Sequence, residues 1–527
     1  MIWKFTWFLL ALGVCVGQIP VAAFADAQTP APATPTTASA TSASAQPAPW
    51  VVPQTPGTYR LFTTLRVAGK SMKLPFVVFL PDSYRATGPK TPVLLFLHGM
   101  GEGGTDLDGI FLHGPNFELV KPNNDAFIHR FPMIVVSPQC PPRGERWDRG
   151  TMVDYANLLL DELLPKLNAD ADRVYATGLS AGGLGTWLAA LNRPDLFAAI
   201  APISSREPDL AEVAKKLHHL PTLAITGEGD NDQIAGSRSA VDALNNAGGY
   251  AQLVTGPDGH AVWIRAYANI RTYEWLLLQS RDQPLPATNP STQPTPQVAT
   301  RAGFHVLTHR AASGAQIDSL PYVIYLPADL RPGDHRPLVM YLPDSTRFGT
   351  YRDGMVLHGP AEQLATSARL RNRFDAILVQ PIFPPFAGKW PDNANLAMLS
   401  SLIQDLARRY HTDPERLYIA GSGTGVATAL ALAQRPNSAF AAALLEIPAD
   451  AAELAATLLD TASPTVILGY TYSNKGPNPG RLRTLTTRSA TGSDLTILPA
   501  DAPSPFAMPE IYERLLAIRL KPQPKSP

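Results

Sequence analysis

An internal repeat is the feature of this 527-residue chain that most restricts its fold. The segment Pro75–Pro81 (PFVVFLP) recurs as Pro321–Pro327 (PYVIYLP), and the triplet His-Gly-Pro that begins at His113 recurs at His358. Matching positions keep separations of 241 to 246 residues along the chain. This constant register predicts two copies of one domain type, each of about 220–230 residues, a usual size for an α/β unit.

Composition marks the boundaries of the two predicted copies. Residues 26–56 and 282–300 are rich in Ala, Pro, Ser and Thr and lack apolar periodicity, which predicts linkers. We therefore expect a first domain at 57–281, a second at 301–520 and a short tail at 521–527. These two domains are called the first half and the second half below.

The N-terminal residues 1–25 have the pattern of a secretory signal. A positive region that ends at Lys4 precedes the apolar run Phe5–Gly17, and Ala23-Phe-Ala25 is an A-x-A cleavage pattern. The apolar run is shorter than a stable membrane span requires. We expect cleavage near Ala25, export to the periplasm or the medium, and no membrane span afterwards; an uncleaved anchor helix is the alternative.

Bulk charge and cysteine content exclude several kinds of protein. The chain has 44 basic and 44 acidic residues, so nothing in its net charge indicates nucleic acid or an anionic membrane as a partner. Of its two cysteines, Cys15 lies in the predicted signal, which leaves Cys140 with no intrachain disulfide partner. No His/Asp cluster has metal-ligand spacing, so we expect no metal and no cofactor.

Hydrophobic patterning predicts an α/β fold in each half. Short apolar runs such as Val93–Leu97 and Ile134–Ser137 are typical of buried parallel strands. Apolar residues at helical spacing predict helices at Met152–Leu167 and Ala266–Gln279. Alternating strands and helices favour an α/β fold with a mainly parallel, doubly wound sheet in each half.

A candidate nucleophile lies in a Gly-x-Ser-x-Gly motif at residues 178–182. The motif falls between a predicted strand at Val174–Thr177 and a helix from about Gly183, which is typical of a nucleophile elbow at Ser180. The backbone N–H of Ala181 would face the developing oxyanion. The glycine-rich loop after the strand at Val93–Leu97 would supply a second N–H, from Met100.

Ser180 needs a general base and an acid that orients it. His260 lies in the loop after a predicted strand at Ala251–Val254 and before the closing helix, where the base belongs in this fold. The acid is expected after the preceding strand. Asp230 is the first choice there, with Asp232 and then Glu228 as alternatives.

Together these motifs resemble bacterial esterases of the α/β-hydrolase superfamily. The nearest groups are polyhydroxybutyrate depolymerases, feruloyl and acetylxylan esterases, and phospholipase/carboxylesterases. The resemblance covers about residues 60–281 and rests on Leu97-His-Gly-Met-Gly, Ser137-Pro-Gln-Cys and Gly259-His-Ala-Val-Trp. It implies a Ser/Asp/His esterase that forms an acyl-enzyme and, together with the repeat, two tandem α/β-hydrolase domains. Thr226 departs from the family pattern, which has a histidine there.

The second half lacks the corresponding reactive residues. Gly423 stands at the place of Ser180, Pro343-Asp344 replaces His98-Gly99, and Ala500–Pro503 contains no histidine. Gly469–Asn474, at the acid loop, contains no carboxylate. These losses predict a degenerate, catalytically inactive domain, which either packs against the first half or binds a polymer.

Trp147, which has a counterpart at Trp390, is expected to line the substrate site. The sequence as a whole predicts an exported hydrolase of small-molecule or polymer carboxylic esters. A serine peptidase of the same superfamily and a non-catalytic carbohydrate- or polymer-binding protein are the alternatives.

Overall fold

The computed structural model describes most of the two halves. The described residues are 51–141, 146–149, 151–282, 299–310, 319–331, 333–345, 349–352, 355–383, 385, 393–435, 438–448, 466–472, 483–484 and 504–519. The predicted signal at 1–25, residues 26–50 and 283–298 of the predicted linkers, and the tail at 521–527 lie outside them.

Eight strands of the first half form one sheet, in the order β1-β2-β4-β3-β5-β6-β7-β8. Their bounds are β1 Gly57–Val67, β2 Lys70–Leu80, β3 Thr91–Leu97, β4 Ile134–Pro138, β5 Ala169–Leu179, β6 Ala199–Ile203, β7 Thr222–Gly227 and β8 Ala251–Gly256. Strands β1 and β2 pair antiparallel at one edge, whereas the pairs from β4 to β8 are parallel. The carboxyl ends of the parallel strands therefore meet at one edge of the sheet.

Helices cover both faces of this sheet. Their bounds are α1 Gly114–Val120, α2 Asp125–Ile128, α3 Met152–Leu163, α4 Ala181–Asn192, α5 Leu210–Leu217, α6 Asn231–Asn246, α7 Trp263–Ala268 and α8 Ile270–Leu277. Side chains of β3 alternate between two apolar layers: Leu95 packs in the layer with α3 to α6, and Leu94 in the layer with α1, α2, α7 and α8. This alternation follows from the two-residue period of a strand and gives the doubly wound arrangement.

The prediction of one continuous closing helix at Ala266–Gln279 is wrong. The chain forms two helices there, α7 and α8, which are separated at Asn269. Asn269 has non-helical backbone angles (φ −91°, ψ 113°), and its side chain accepts a hydrogen bond from the Arg271 N–H. Asparagine is a preferred N-cap because its side-chain oxygen satisfies one of the unpaired N–H groups of a new helix.

A second sheet of eight strands lies in the second half, in the order β9-β10-β14-β11-β15-β16-β17-β18. Its strands, with the two-stranded hairpin β12–β13, are β9 Gly303–Arg310, β10 Ser319–Leu326, β11 Leu338–Leu342, β12 Thr350–Arg352, β13 Met355–Leu357, β14 Ile377–Pro381, β15 Leu417–Ser422, β16 Ala442–Pro448, β17 Val466–Tyr472 and β18 Arg483–Thr484. Strands β14, β11, β15, β16 and β17 are parallel to one another, as in the first sheet. The last strand, β18, pairs antiparallel, unlike β8.

Helices of the second half also contribute to two apolar layers. They are α9 Gly359–Thr366, α10 Ala368–Arg371, α11 Asn393–Arg409, α12 Gly425–Ala433 and α13 Pro509–Leu516. Side chains of α11 and α12 pack in one layer, and side chains of α9, α10 and α13 in the other. The predicted α/β class with mainly parallel sheets is confirmed. Within the described residues, no helix has the length and apolar character to cross a membrane.

Candidate active site

Ser180 lies at a strained turn between β5 and α4. Its backbone has φ 54° and ψ −113°, a combination that a non-glycine residue adopts rarely and at a cost of about 1–3 kcal/mol. The flanking glycines allow the turn. A Cβ atom at Gly182 would lie 2.0 Å from the Leu97 carbonyl oxygen, and one at Gly178 would lie 2.3 Å from the Gly182 carbonyl oxygen. The motif therefore folds into the sharp strand-to-helix turn that its pattern predicts.

His260 lies in the loop after β8, at the start of a 3₁₀ turn that spans His260–Val262. Its Nε2 atom is 3.0 Å from the Ser180 hydroxyl oxygen. Two contacts hold the residue in place: the Ser204 hydroxyl donates to the His260 carbonyl at 2.8 Å, and the Trp263 ring meets the imidazole edge to face at 5.1 Å. The side chain is 45% exposed, so solvent reaches the base.

Of the three predicted carboxylates, Asp230 lies against the histidine. Its Oδ2 atom is 2.7 Å from His260 Nδ1, and its side chain is 12% exposed. Asp232 and Glu228 are exposed. The loops that carry the acid and the base are joined by their backbones, since Glu228 N–H donates to Gly256 and Gly229 N–H donates to Asp258.

This arrangement fixes which nitrogen of His260 carries the proton. A carboxylate only accepts hydrogen bonds, so Nδ1 donates to Asp230 and Nε2 remains the acceptor that faces Ser180. The distances of 3.0 Å and 2.7 Å allow a proton to pass from the hydroxyl to the imidazole while the carboxylate stabilises the resulting charge.

The two predicted oxyanion donors, Met100 and Ala181, follow the carboxyl ends of the neighbouring strands β3 and β5. Ala181 is the first residue of α4, where backbone N–H groups have no acceptor within the helix. Met100 begins a 3₁₀ turn (Met100–Glu102) directly after β3, and its side chain is exposed. A partial positive charge at the helix N-terminus adds to the effect of the Ala181 N–H.

His98 anchors the glycine-rich loop. It is buried, and its Nε2 accepts the Cys140 backbone N–H at 3.0 Å, which leaves Nδ1 to donate to the Gly99 carbonyl at 2.6 Å. Burial lowers the pKa of His98 to about 4, because charging the imidazole would cost its hydration. His98 is therefore a neutral residue that ties the loop to the end of β4.

Glu102 adds a buried carboxyl group to the same loop. Burial raises its pKa, whereas the charge of His113 and the backbone N–H groups of Glu102 and Gly99 lower it in part. His113 Nε2 lies 3.8 Å from the carboxyl group, and the His113 ring contacts Trp263. These contacts join His113 to both the glycine-rich loop and the base loop.

Trp147 has 1% of its surface exposed and packs in the apolar layer with α3 to α6. Its ring meets His98 edge to face at 5.3 Å, and Gly185 of α4 leaves room for it, since a Cβ there would lie 2.5 Å from Trp147 Cβ. The observed contacts are those of a core residue beneath the glycine-rich loop. A contact with substrate stays a prediction.

Two residues that position the base, Ser204 and Gly227, were not predicted from the sequence. Ser204 follows β6 with φ 45°, and its hydroxyl holds the His260 carbonyl. Gly227 ends β7 where the chain passes close to the base loop: a Cβ there would lie 2.1 Å from the Gly259 carbonyl oxygen. No local pattern marks either residue, because both act across neighbouring strands.

The second half has a turn of similar backbone geometry, with a glycine at the position of Ser180. Gly423 lies between β15 and α12 with φ 49°, close to the value at Ser180. The Asp344 carboxyl group fills the adjacent space, since a Cβ at Gly423 would lie 2.3 Å from its Cγ. The predicted losses at 473–474 and at 500–503 lie outside the described residues. In the described part of both halves, no group of three or more His, Cys, Asp or Glu side chains is arranged to hold a metal.

Residues 69–262, which include Ser180, Asp230 and His260, match the model of a protein family described as "Putative esterase". Among curated proteins, the chain is 34% identical over 89 residues to "Putative esterase NocK" of Nocardia uniformis subsp. tsuyamanensis, a match that covers 17% of this chain and 26% of that protein. It is 27% identical over 145 residues to the bifunctional acetylxylan esterase/xylanase XynS20E of Neocallimastix patriciarum, covering 27% of this chain and 20% of that protein.

The chain thus spans about a quarter and a fifth of the length of these two curated relatives. Among solved structures, a thermostable esterase is 29% identical, covers 42% of this chain and 63% of its own, and superposes with a TM-score of 0.36.

Proposed function

We propose, from the esterase-family segment at residues 69–262, that the first half hydrolyses carboxylic esters with Ser180 as nucleophile, His260 as base and Asp230 as acid. The observation that carries the proposal is the chain of contacts from Ser180 Oγ to His260 Nε2 (3.0 Å) and from His260 Nδ1 to Asp230 Oδ2 (2.7 Å). A serine held at positive φ on an elbow supports the same role, because such strain is concentrated at functional sites.

In the first step, Ser180 Oγ attacks the ester carbonyl carbon while its proton moves to His260 Nε2. Asp230 stabilises the imidazolium that forms. The tetrahedral oxyanion accepts hydrogen bonds from the backbone N–H groups of Ala181 and Met100. When the intermediate collapses, the C–O bond to the alcohol breaks, and His260 returns the proton to the departing oxygen.

In the second step, water hydrolyses the acyl-enzyme. His260 takes a proton from water as the water oxygen attacks the acyl carbon, and the same donors bind the second oxyanion. Collapse breaks the bond to Ser180 Oγ, which regains the proton from His260. The products are one carboxylic acid and one alcohol, and the enzyme returns to its starting state.

Three further features belong to the proposal. The signal pattern at 1–25 supports export with cleavage near Ala25. The shared strand order of the two sheets supports a tandem duplication, with domains at 57–281 and 301–520. Asp344 beside Gly423 supports a degenerate second domain without hydrolytic activity.

The test uses the full chain without its signal on p-nitrophenyl acetate, p-nitrophenyl butyrate and a peptide p-nitroanilide. We expect ester cleavage, no amide cleavage, and a fall in kcat of at least about 10³-fold in Ser180→Ala. Ser71→Ala, an exposed serine of β2, is the matched control and should retain the rate. Ester cleavage that survives Ser180→Ala would refute the assignment, and amide cleavage would favour the peptidase alternative.

A further inference from the structure

Helix α8, at the end of the first half, carries two charged side chains in its buried part. Arg271 has 7% and Glu274 has 4% of its surface exposed, and the neighbours Tyr273 and Trp275 are fully buried. Buried charges are costly unless other groups pair with them, and leaving one partner without the other is strongly destabilising. The groups that accompany these two charges therefore indicate what α8 packs against.

The partners of Glu274 come from the second half. Its Oε1 atom accepts the Gly349 backbone N–H at 3.0 Å and lies 2.9 Å from His358 Nε2. His358 is itself buried, and its backbone N–H donates to the Gln380 side chain at 2.9 Å. The backbone of His358 is therefore fixed at the place from which its ring reaches the carboxylate of Glu274.

Arg271 stands three residues before Glu274, on the same face of α8. Burial lowers the pKa of Arg271, and the negative charge of Glu274 acts in the opposite direction. The carboxylate of Glu274 therefore has a cation of its own helix nearby as well as His358 and Gly349 of the second half.

Apolar side chains cross the same boundary. Val356 of β13 is part of the apolar layer of the first half that contains α7 and α8, and Tyr351 of β12 packs against that layer. In the other direction, Leu278 packs against an apolar layer of the second half. The charged contacts are therefore embedded in a continuous hydrophobic surface, which strengthens them by excluding water.

We propose that the β12–β13 hairpin of the second half, with Gly349 before it and His358 after it, is a docking site for helix α8 of the same chain. In this site His358 and Gly349 receive the carboxylate of Glu274. The second half thereby stabilises the first as a permanent partner. This inference does not depend on ester hydrolysis.

The test is a double-mutant cycle in the full chain, with Glu274→Gln, His358→Gln and the double variant followed by calorimetry. We expect each single variant to lower the unfolding temperature by roughly 5–10 °C, and the double variant to lose no more than the worse single one. Glu415→Gln, an exposed carboxylate of the second half that pairs with Arg519, is the matched control and should change little. Losses that add in full, or a His358→Gln variant as stable as the parent, would overturn the proposal.

A second measurement covers the case in which Glu274→Gln does not fold. Val356→Ala shortens a side chain of the same contact without changing a charge, and amide hydrogen exchange is then followed along the chain. We expect exchange in residues 270–277 of the first half to accelerate at least tenfold. Acceleration confined to residues 355–357 would contradict the docking. Neither experiment needs a substrate, so a failure here is distinguishable from a failure of the proposed hydrolysis.

Discussion

At the scale of single residues, the site depends on how Ser204, Asp230 and their neighbours hold one imidazole. Asp230 fixes the ring through Nδ1, and the Ser204 hydroxyl fixes the backbone of the same residue. His260 is consequently held from two sides while its Nε2 atom remains directed at Ser180. The roles of these residues are separable by substitution.

Replacing Asp230 with asparagine should lower kcat by about 10³–10⁴-fold, because an amide presents an N–H to the ring and favours the wrong tautomer. Asp232→Asn is the matched control, since Asp232 is exposed in the first turn of α6, and it should retain at least half of the activity. The measurement is steady-state ester hydrolysis with calorimetry to verify folding. If Asp232→Asn proves the more damaging change, the acid has been assigned to the wrong residue.

The lowered pKa of His98 should make the free energy of unfolding depend on pH. In the unfolded chain it titrates near 6.5, whereas burial lowers its folded pKa to about 4, so the unfolded state binds more protons between these values. The free energy of unfolding should therefore fall as pH is lowered from about 6.5 to about 4, and this residue contributes about 3 kcal/mol of that fall.

His98→Gln retains a donor and an acceptor but does not titrate, so its unfolding free energy should depend less on pH over the same window. Urea unfolding at several pH values measures the difference. His309, whose pKa burial also lowers, should keep part of the slope in both proteins. Identical slopes would mean that His98 does not carry the effect.

Much of the site at this scale could be predicted from local pattern. Ser180 stands in a motif whose glycines are required by the turn, and His260 and Asp230 follow successive strands whose carboxyl ends meet. Ser204 could not be predicted, because its role arises only from the adjacency of β6 to the base loop. The burial of Trp147 could not be predicted either, since a tryptophan near a site is compatible with a place in the core and with a place in a pocket.

At the scale of elements, the elbow depends on the close passage of α4 against the end of β3. A Cβ atom at Gly182 would overlap the Leu97 carbonyl, and one at Gly178 would overlap the Gly182 carbonyl. The helix therefore starts directly beside the glycine-rich loop that follows β3. This proximity places the two predicted N–H donors, from Ala181 and Met100, at one edge of the sheet.

Gly182→Ala should destabilise the protein by about 3 kcal/mol or more and abolish hydrolysis, because its Cβ would overlap the backbone of β3. Gly101→Ala is the matched control: its Cβ would meet no atom within 4 Å, and both stability and folding should be retained. Thermal unfolding measures the stability of both variants, and ester hydrolysis measures their activity. A stable, active Gly182→Ala enzyme would show that the elbow is looser than described.

Sequence patterns predicted elements well where burial governs them. The central strands are continuous apolar runs, and the observed strands β3 and β4 contain the predicted ones. The break at Asn269 was missed because apolar residues continue at helical spacing on both sides of it, and only the backbone angles of the asparagine reveal two helices.

At the scale of the whole molecule, two sheets of similar strand order carry different residues at corresponding turns. The first carries Ser180 at a strained elbow, and the second carries Gly423 at a turn of similar geometry with Asp344 beside it. The repeat predicts a shared domain type, but no sequence pattern predicts the contacts of Glu274 with the second half. Buried charges on α8 become interpretable only when their partners are located in space.

The second half also contains a Ser, His and Asp set of its own. His309 of β9 lies 3.0 Å from the Ser401 hydroxyl and 3.3 Å from Asp405, both on α11. The imidazole is buried, and Ser401 lies within a helix whose N–H groups bond along the helix rather than toward a ligand. Geometry between three side chains is therefore insufficient for catalysis without an elbow and oxyanion donors.

The most direct test of the central claim is labelling of the intact, signal-less chain with a fluorophosphonate, followed by peptide mapping. One label per chain is predicted, on Ser180, and none in Ser180→Ala, while Ser401→Ala labels like the parent protein. Folding of each variant is verified by calorimetry. A folded protein that does not label, or one that carries its label on Ser401 or another serine, would contradict the account of the active site.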